Sequence, residues 1–92
     1  MTVYHKKILV SVNTSWNVFN FRLNLLLFLK SEGYEIHVLT PFDKFAEKLT
    51  ILGFIYHSIK IDNKGNNPVK DLKLIKSYHH VLSKVKPDIV LL

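Results

Sequence analysis

The stretch "KILVSVNTSWNVFNFRLNLLLFLKSEGYEIHVLT", residues 7–40, determines the fold class predicted for this 92-residue chain. It opens at residues 7–12 with an apolar segment rich in β-branched residues, which is typical of a strand buried on both faces. The leucine-rich residues 19–31 predict a helix, and Gly33 follows where a helix cap belongs. Alternating apolar residues at 34–40 predict a second strand. A strand–helix–strand unit is therefore expected here.

The remainder of the chain continues the same alternation of strands and helices. Residues 42–53 predict a second helix, and residues 54–61 predict a third strand. After a polar loop at 62–67, a third helix is expected from Pro68 to about residue 85, because proline suits the first position of a helix. Residues 88–92 predict a fourth strand. The expected fold class is α/β, a Rossmann-like three-layer fragment with four parallel strands alternating with three helices.

The composition bounds the size and the chemistry of the protein. Apolar residues make up 48% of the 92 residues, which is enough for a core in one domain or part of one. There is no cysteine, which excludes disulfides and cysteine-based zinc sites. The longest purely apolar run, residues 25–29, is far shorter than the roughly 20 residues of a membrane span. We expect a cytoplasmic protein.

The charge balance favours anionic partners. Thirteen basic residues, all but one of them lysine, stand against seven acidic residues, and the formal net charge is +6. Nucleic acid is not expected as a partner, since proteins that bind it more often use arginine to contact phosphates and bases. Lys70, Lys73 and Lys76 share the polar side of the third predicted helix, and they would attach it to an anionic surface at the inner membrane face. The alternative is an ordinary solvated helix face.

The candidate binding site lies in the loops that follow the strands, because open parallel sheets bind ligands beyond the carboxyl ends of their strands. The first of these loops has neither the G-x-G-x-x-G pattern of nicotinamide-binding folds nor a P-loop. It carries hydroxyls, carboxamides and an indole instead, which suit a polyhydroxylated ring. The expected substrate-binding residues are Asn13, Thr14, Ser15, Trp16, Asn17, Arg22, Lys64 and Asn67.

Several of these residues also have a structural alternative. Asn13, Ser15 and Asn17 are of types that cap helices, and Trp16 would then pack on the helix that follows. Arg22 is expected in the first helical turn, where a cation opposes the helix dipole, so we predict an anionic partner for it, either a ligand or a carboxylate of the protein. No metal is expected because the five histidines lack chelating spacing. Neither a catalytic residue nor a cofactor is predicted.

The order and spacing of several short motifs resemble those of a known family. "NFR" at 20–22, "GYEIHVLTP" at 33–41, "KGNNPVKDL" at 64–72 and "KPDIV" at 86–90 are similar to the opening of family-4-type glycosyltransferases with the two-domain GT-B fold. Members of that family transfer a sugar from a nucleotide sugar to an acceptor, often a surface polysaccharide or a lipid-linked saccharide. Their N-terminal domain mainly shapes the acceptor side of the cleft.

The resemblance implies that residues 1–92 are the N-terminal part of that N-terminal domain, and that the donor-binding domain is absent. The fragment alone is therefore expected to be inactive. A buried parallel strand at 88–92 is also an unusual end for a domain. Many relatives have glycines in the first loop, close to the donor phosphates, whereas this chain has "NTSWN" at 13–17. This difference argues against a close backbone contact with a diphosphate.

Other functions stay open on the sequence alone. A sugar-nucleotide epimerase of similar fold would need a catalytic acid or base at the cleft, and none is evident. A non-catalytic, flavodoxin-like binding module of the receiver type would carry acidic residues at the end of its first strand, where this chain has Asn13. Self-association of the fragment is also expected, because the helix at 19–29 is apolar nearly all round and the last strand has an open edge.

Overall fold

The computed structural model describes residues 6–12, 15–59 and 68–91, and it describes the side chains of all of these except residues 68–74. Four strands form one parallel sheet: β1 (Lys7–Ser11), β2 (Glu35–Thr40), β3 (Ile55–Ser58) and β4 (Ile89–Leu91). Their order across the sheet is β3-β2-β1-β4. The predicted α/β class with four parallel strands is confirmed.

Three helices alternate with the strands, as the sequence predicts. The first helix is continuous through residues 15–31 and has three segments: α-helical Ser15–Asn17, π-helical Val18–Arg22 and α-helical Leu23–Ser31. The second helix is Ala46–Ile51 and the third helix is Pro68–Val85. Gly33 follows the first helix with a φ of +99°, and Gly53 follows the second with a φ of +94°. Glycine adopts this left-handed conformation without steric cost, so both helices end where a glycine is available.

Three element boundaries differ clearly from the predicted ones, and the second helix begins at Ala46 rather than at residue 42. The first helix begins at Ser15 rather than at residue 19, because the Ser15 N–H donates to the Asp43 carboxylate at 3.1 Å, a capping partner from a distant loop. β3 ends at Ser58 rather than at residue 61. The last described bond between these strands runs from the Ile59 N–H to the Thr40 carbonyl at 3.2 Å.

The crossover connections place helices on both faces of the sheet. The chain moves from β1 to β2 to β3 in one direction and then returns across the sheet to β4. Crossovers of the same hand that run in opposite directions lie on opposite faces. One buried cluster therefore joins the sheet to the first two helices, through Ile8, Val10, Ile36, Val38, Val18, Leu26 and Leu49. The other joins the sheet to the third helix, through Leu9, Leu39, Tyr78 and Val81. This confirms the predicted three layers.

Hydrogen bonds attach the third helix and β4 to the central strand β1. The Ser11 hydroxyl donates to the Tyr78 hydroxyl at 3.2 Å, and the Lys7 Nζ donates to the Val85 carbonyl at 3.1 Å. The Asp88 N–H donates to the Lys7 carbonyl at 2.8 Å, and the Lys7 N–H donates to the Asp88 carboxylate at 2.8 Å. These contacts fix where the third helix ends and where β4 begins.

His37 of β2 and His57 of β3 form a stacked pair on the face of the sheet that the third helix covers. Their ring centres are 5.2 Å apart, and His37 Nδ1 lies 2.9 Å from His57 Nε2, so one imidazole donates and the other accepts. Glu35 Oε1 lies 3.5 Å from His37 Nε2. Burial lowers the pKa of both histidines below 6.5.

Charges near the histidine pair both raise and lower the pKa of the imidazoles. Glu35 favours protonation of His37, whereas Lys7 disfavours it, and the balance with burial leaves the pKa of His37 lowered. The pKa of His57 is lowered by burial, by His37 and by Lys84 of the third helix. Both imidazoles are therefore favoured in their neutral form when the protein is folded.

We predict that acidification destabilises the fold through this histidine pair. In the unfolded chain the imidazoles take up protons around their ordinary pKa of 6.5, whereas in the folded protein the pKa of both is lower. The unfolding free energy is then highest above the unfolded pKa and decreases as the pH falls through it towards the folded values. Urea denaturation at a series of pH values measures this dependence.

A double variant assigns the effect to the two buried histidines. His37→Gln combined with His57→Gln should make the dependence on pH shallower, because no proton is then taken up at these positions on unfolding. His80→Gln, on the exposed surface of the third helix, is the matched control and should keep the wild-type dependence. A double variant with the same slope as the wild type would refute the assignment.

Candidate functional site

The strand order reverses at β1, and the candidate site is at the carboxyl end of this strand. β2 and β3 lie on one side of β1 and β4 lies on the other, so the chain leaves β1 towards β2 and later returns across β1 to β4. In open α/β sheets ligands bind in the crevice that opens at such a point. The residues that follow β1, at 12–17, are therefore the candidate loop, counted together with the first turn of the first helix, and the described residues among them are Val12, Ser15, Trp16 and Asn17.

Ser15 supports this loop from inside. Its side chain is fully buried, and its hydroxyl lies 2.6 Å from the Thr40 hydroxyl at the end of β2. The Tyr56 hydroxyl of β3 donates to the Thr40 carbonyl at 2.9 Å and lies 3.4 Å from the Thr40 hydroxyl. The network thus connects the start of the first helix to two consecutive strands. Among the predicted site residues, Ser15 has a structural contact, but its hydroxyl bonds the Thr40 side chain rather than capping the helix.

Asp43 holds the loop after β2 against the start of the first helix. Its Oδ2 accepts the Ser15 N–H at 3.1 Å, and its Oδ1 accepts the Phe45 N–H at 2.9 Å. Each carboxylate oxygen therefore accepts one backbone N–H, one from the start of the first helix and one from the loop after β2. Thr40 and Asp43 were not predicted as site residues, although both lie at or directly after the carboxyl end of β2. The only sequence signal for them was that position, since their partners lie 25 and 28 residues away.

Trp16 and Phe21 form an exposed aromatic pair at the beginning of the first helix. Their side chains are 47% and 70% exposed, and their rings meet edge to face with centres 5.3 Å apart. The Asn20 side chain donates to the Trp16 carbonyl at 2.9 Å, which supports the backbone between them. Phe21 belongs to the π-helical segment, a conformation found frequently at functional sites. Trp16 was predicted as a site residue, and Phe21 was not.

The remaining predicted residues divide into two groups. Asn17 and Arg22 are half-buried in the helical region around the π segment. Because the first helix begins at Ser15, Arg22 lies about two turns into it, and the expectation that it opposes the dipole in the first turn is wrong. The other four, Asn13, Thr14, Lys64 and Asn67, lie outside the described residues.

A cluster of lysines and phenylalanines lies next to the candidate loop. Phe19 of the first helix and Phe45, which precedes the second helix, have ring centres 5.5 Å apart. Lys48 Nζ lies 5.3 Å from the Phe19 centre and 5.1 Å from the Phe45 centre, and Lys44 Nζ lies 5.3 Å from the Phe45 centre. Cation–π attraction therefore holds these two ammonium groups over the rings that join the first and second helices.

Other possible sites are weaker. Among residues 6–12, 15–59 and 68–91, no group of three histidine, aspartate or glutamate side chains is arranged to hold a metal ion. No helix in the described part of the chain is both long and apolar enough to cross a membrane. Two open surface depressions, of about 460 and 480 Å³, lie around Gly33 and Tyr34 at the amino end of β2, away from the carboxyl ends of the strands.

Comparison with known proteins agrees with this architecture. A crystal structure of a glycosyltransferase from Rickettsia africae ESF-5 superimposes on the chain with a TM-score of 0.75 at 20% sequence identity. The match covers 94% of this chain and 23% of that chain, so the chain spans about a quarter of that glycosyltransferase. At this identity the match shows the fold. No curated protein sequence matches the chain.

A family model establishes the relationship. The model described as "Glycosyl transferase 4-like" matches residues 7–92, which include all the described strands and helices. This agrees with the resemblance carried by the short motifs. The chain belongs to the glycosyl transferase 4-like family.

Proposed function

We propose that this chain forms the acceptor side of a glycosyltransferase, which moves a sugar from a nucleotide-sugar donor to a saccharide or a lipid-linked saccharide in surface polysaccharide synthesis. The observation that carries the proposal is the exposed Trp16 in the first turn of the helix that follows β1, after a connection without glycine, in a glycosyl transferase 4-like chain. An aromatic ring offers an apolar surface to the C–H face of a sugar, and the neighbouring carboxamides offer hydrogen bonds to its hydroxyls.

The residues around Trp16 have different proposed roles. Asn17 and Arg22 contact the acceptor from the first helix, and buried Ser15 positions them. Asn13, Thr14, Lys64 and Asn67 belong to the loops that would follow β1 and β3, and we propose that they complete the polar part of the site. In the intact enzyme, stabilisation of the departing nucleotide diphosphate lowers the barrier to transfer. The groups responsible belong to the donor side, outside residues 1–92.

We further propose that residues 1–92 are the N-terminal part of a GT-B N-terminal domain, in an enzyme that works in the cytoplasm. The matching Rickettsia chain supports the proposal that the intact enzyme is longer, since the match covers 23% of that chain. A sugar-nucleotide epimerase and a non-catalytic binding module are less well supported. Membership of a glycosyltransferase family favours transfer, and the Asp43 carboxylate at this site is bonded to two backbone amides, which suits a structural role better than proton transfer.

Substitution of Trp16 tests the proposed function in the intact enzyme. Because Trp16 is 47% exposed, Trp16→Ala should leave the melting temperature nearly unchanged while raising the KM for the acceptor about tenfold, the scale of one lost aromatic contact. Transfer of labelled sugar at varied acceptor concentration measures the KM, and the KM for the donor should not change.

Ser15→Ala is the matched contrast at the neighbouring position. It removes the buried hydroxyl that lies 2.6 Å from Thr40, so it should lower the unfolding free energy by about 1–3 kcal/mol. If Trp16→Ala instead destabilised the protein and left the acceptor KM unchanged, Trp16 would be part of the core and the proposed site would be wrong.

We also propose that the third helix attaches the enzyme to an anionic membrane surface through Lys70, Lys73 and Lys76. Lys76 is exposed, and the three positions lie on the same helix as Lys84. Each lysine near an anionic surface contributes roughly 1 kcal/mol, which salt weakens by screening. Such attachment would bring the acceptor site close to a lipid-linked saccharide.

Liposome co-sedimentation tests the attachment. Binding should be stronger to anionic than to neutral vesicles, should fade as salt is added, and should be lost when Lys70, Lys73 and Lys76 are all changed to Gln. The control changes Lys30, Lys44 and Lys48 to Gln, which removes the same charge from exposed positions elsewhere. Equal binding of the two triple variants would exclude a specific role for the third helix.

Self-association of this chain is a further proposal. Among the described strands, β4 pairs with β1 alone, and its Ile89 and Val90 are 42% and 44% exposed. An uncovered strand edge with apolar side chains tends to pair with another chain.

Sedimentation velocity should therefore show a species whose size grows with concentration, and Val90→Lys should abolish this growth. Ile51→Lys, at a 76% exposed position in the second helix, should not abolish it. Monomeric behaviour of the unmodified chain at all concentrations would disprove the proposal.

A further inference from the structure

The carboxylate of Asp43 lies at the beginning of the first helix. Its Oδ2 accepts the N–H of Ser15, which is the first residue of that helix, at 3.1 Å. The helix then continues without a break to residue 31. Unpaired N–H groups and the helix dipole make the start of such a helix electropositive, so a negative charge is stabilised there. Asp43 supplies that charge from within the protein.

Several contacts keep the Asp43 carboxylate in this position. Its second oxygen accepts the Phe45 N–H at 2.9 Å, so the side chain is held from two directions. The buried contact of 2.6 Å between the Ser15 and Thr40 hydroxyls fixes the same helix start to β2. Rotating the carboxylate away would break bonds to two backbone amides at once. The arrangement is therefore a fixed part of the fold.

The start of the first helix corresponds to a common ligand-binding position in doubly wound α/β folds. The start of the helix after β1 is where phosphate groups of nucleotide ligands commonly bind, because the backbone N–H groups and the dipole favour an anion there. In this protein that place holds a carboxylate, which repels a second anion. The sequence of the loop agrees with this, since residues 12–17 include no glycine that would let a phosphate approach the backbone.

We propose that Asp43 is a specificity-determining residue that occupies the phosphate position at the first helix and thereby restricts the β1 loop to uncharged, polyhydroxylated groups. The donor diphosphate then has to bind elsewhere in the enzyme. The exclusion of phosphate rests on the charge and the contacts of Asp43 and does not depend on the proposed function. The identity of the uncharged group as an acceptor sugar rests on the proposed function.

The neighbouring lysines do not create an equivalent phosphate position at the helix start. The ammonium groups of Lys44 and Lys48 lie 5.1–5.3 Å from the ring centres of Phe19 and Phe45, where the aromatic faces attract them. An anion bound by these lysines would perturb the rings beneath them rather than the Ser15 amide. A site-resolved measurement separates the two locations.

The test is a titration of ¹⁵N-labelled protein with inorganic pyrophosphate, followed through the amide resonances of Ser15, Trp16 and Asn17. The wild-type resonances should not move in a saturable way. Asp43→Asn removes the charge and keeps a carbonyl acceptor, so it should bind pyrophosphate at these amides about tenfold more tightly, the scale of a partly buried charge at a helix start. Glu47→Gln is the matched control, because it removes the same charge from an exposed position and should behave as the wild type.

Saturable wild-type shifts at Ser15–Asn17, or an Asp43→Asn variant that folds and binds no more tightly than the wild type, would overturn the proposal. If Asp43→Asn does not fold, the wild-type titration still decides, since saturable binding at these amides contradicts the exclusion of phosphate and its absence supports it. The titration involves no acceptor. Its failure is therefore distinguishable from failure of the proposed function, which the acceptor KM of Trp16→Ala reports.

Discussion

The pairing of β1 on both of its edges is the constraint on which the rest of the structure depends. β2 and β4 hydrogen-bond to β1 from either side, and Ile8, Leu9 and Val10 are each at most 2% exposed. Because side chains alternate along a strand, Ile8 and Val10 enter one core cluster and Leu9 enters the other. A shift of one residue would place each side chain on the wrong face, so the register of β1 is strongly determined. The point where the chain leaves β1 is consequently well determined too.

The candidate site is rigid because it follows the fixed carboxyl end of β1. The loop after β1 leads directly to Ser15, whose hydroxyl and amide are held by Thr40 and Asp43 from the end of β2. Tyr56 of β3 contacts Thr40 in turn. The start of the first helix and two consecutive strands, β2 and β3, therefore contribute to one hydrogen-bonded network. This is the chemical reason that a buried serine matters for a site it does not contact: it fixes the backbone from which Trp16 and Asn17 extend.

Much of the fold could be predicted from the sequence because it depends on local patterns. The β-branched, apolar character of residues 7–12 and the glycines after each of the first two helices are signals within one element, and the strands and helices lie close to where those signals predict. The start of the first helix and the role of Asp43 could not be predicted in the same way. The Ser15–Asp43 contact joins residues 28 positions apart, and only the parallel pairing of β1 with β2 brings them together.

The π-helical segment brings Phe21, which was not predicted as a site residue, next to Trp16, which was. In an α-helix the side chains of residues 16 and 21 would point in widely different directions, because each residue turns by about 100°. A π turn has hydrogen bonds between residues five apart, and it brings such a pair towards the same side. Trp16 and Phe21 accordingly meet with ring centres 5.3 Å apart across the segment Val18–Arg22. Regular α-helical spacing would separate Phe21 from Trp16, whereas the observed backbone makes the two rings neighbours. The irregular geometry of the segment thus produces a local surface that regular helical spacing does not encode, and it does so next to the point where the strand order of the sheet reverses.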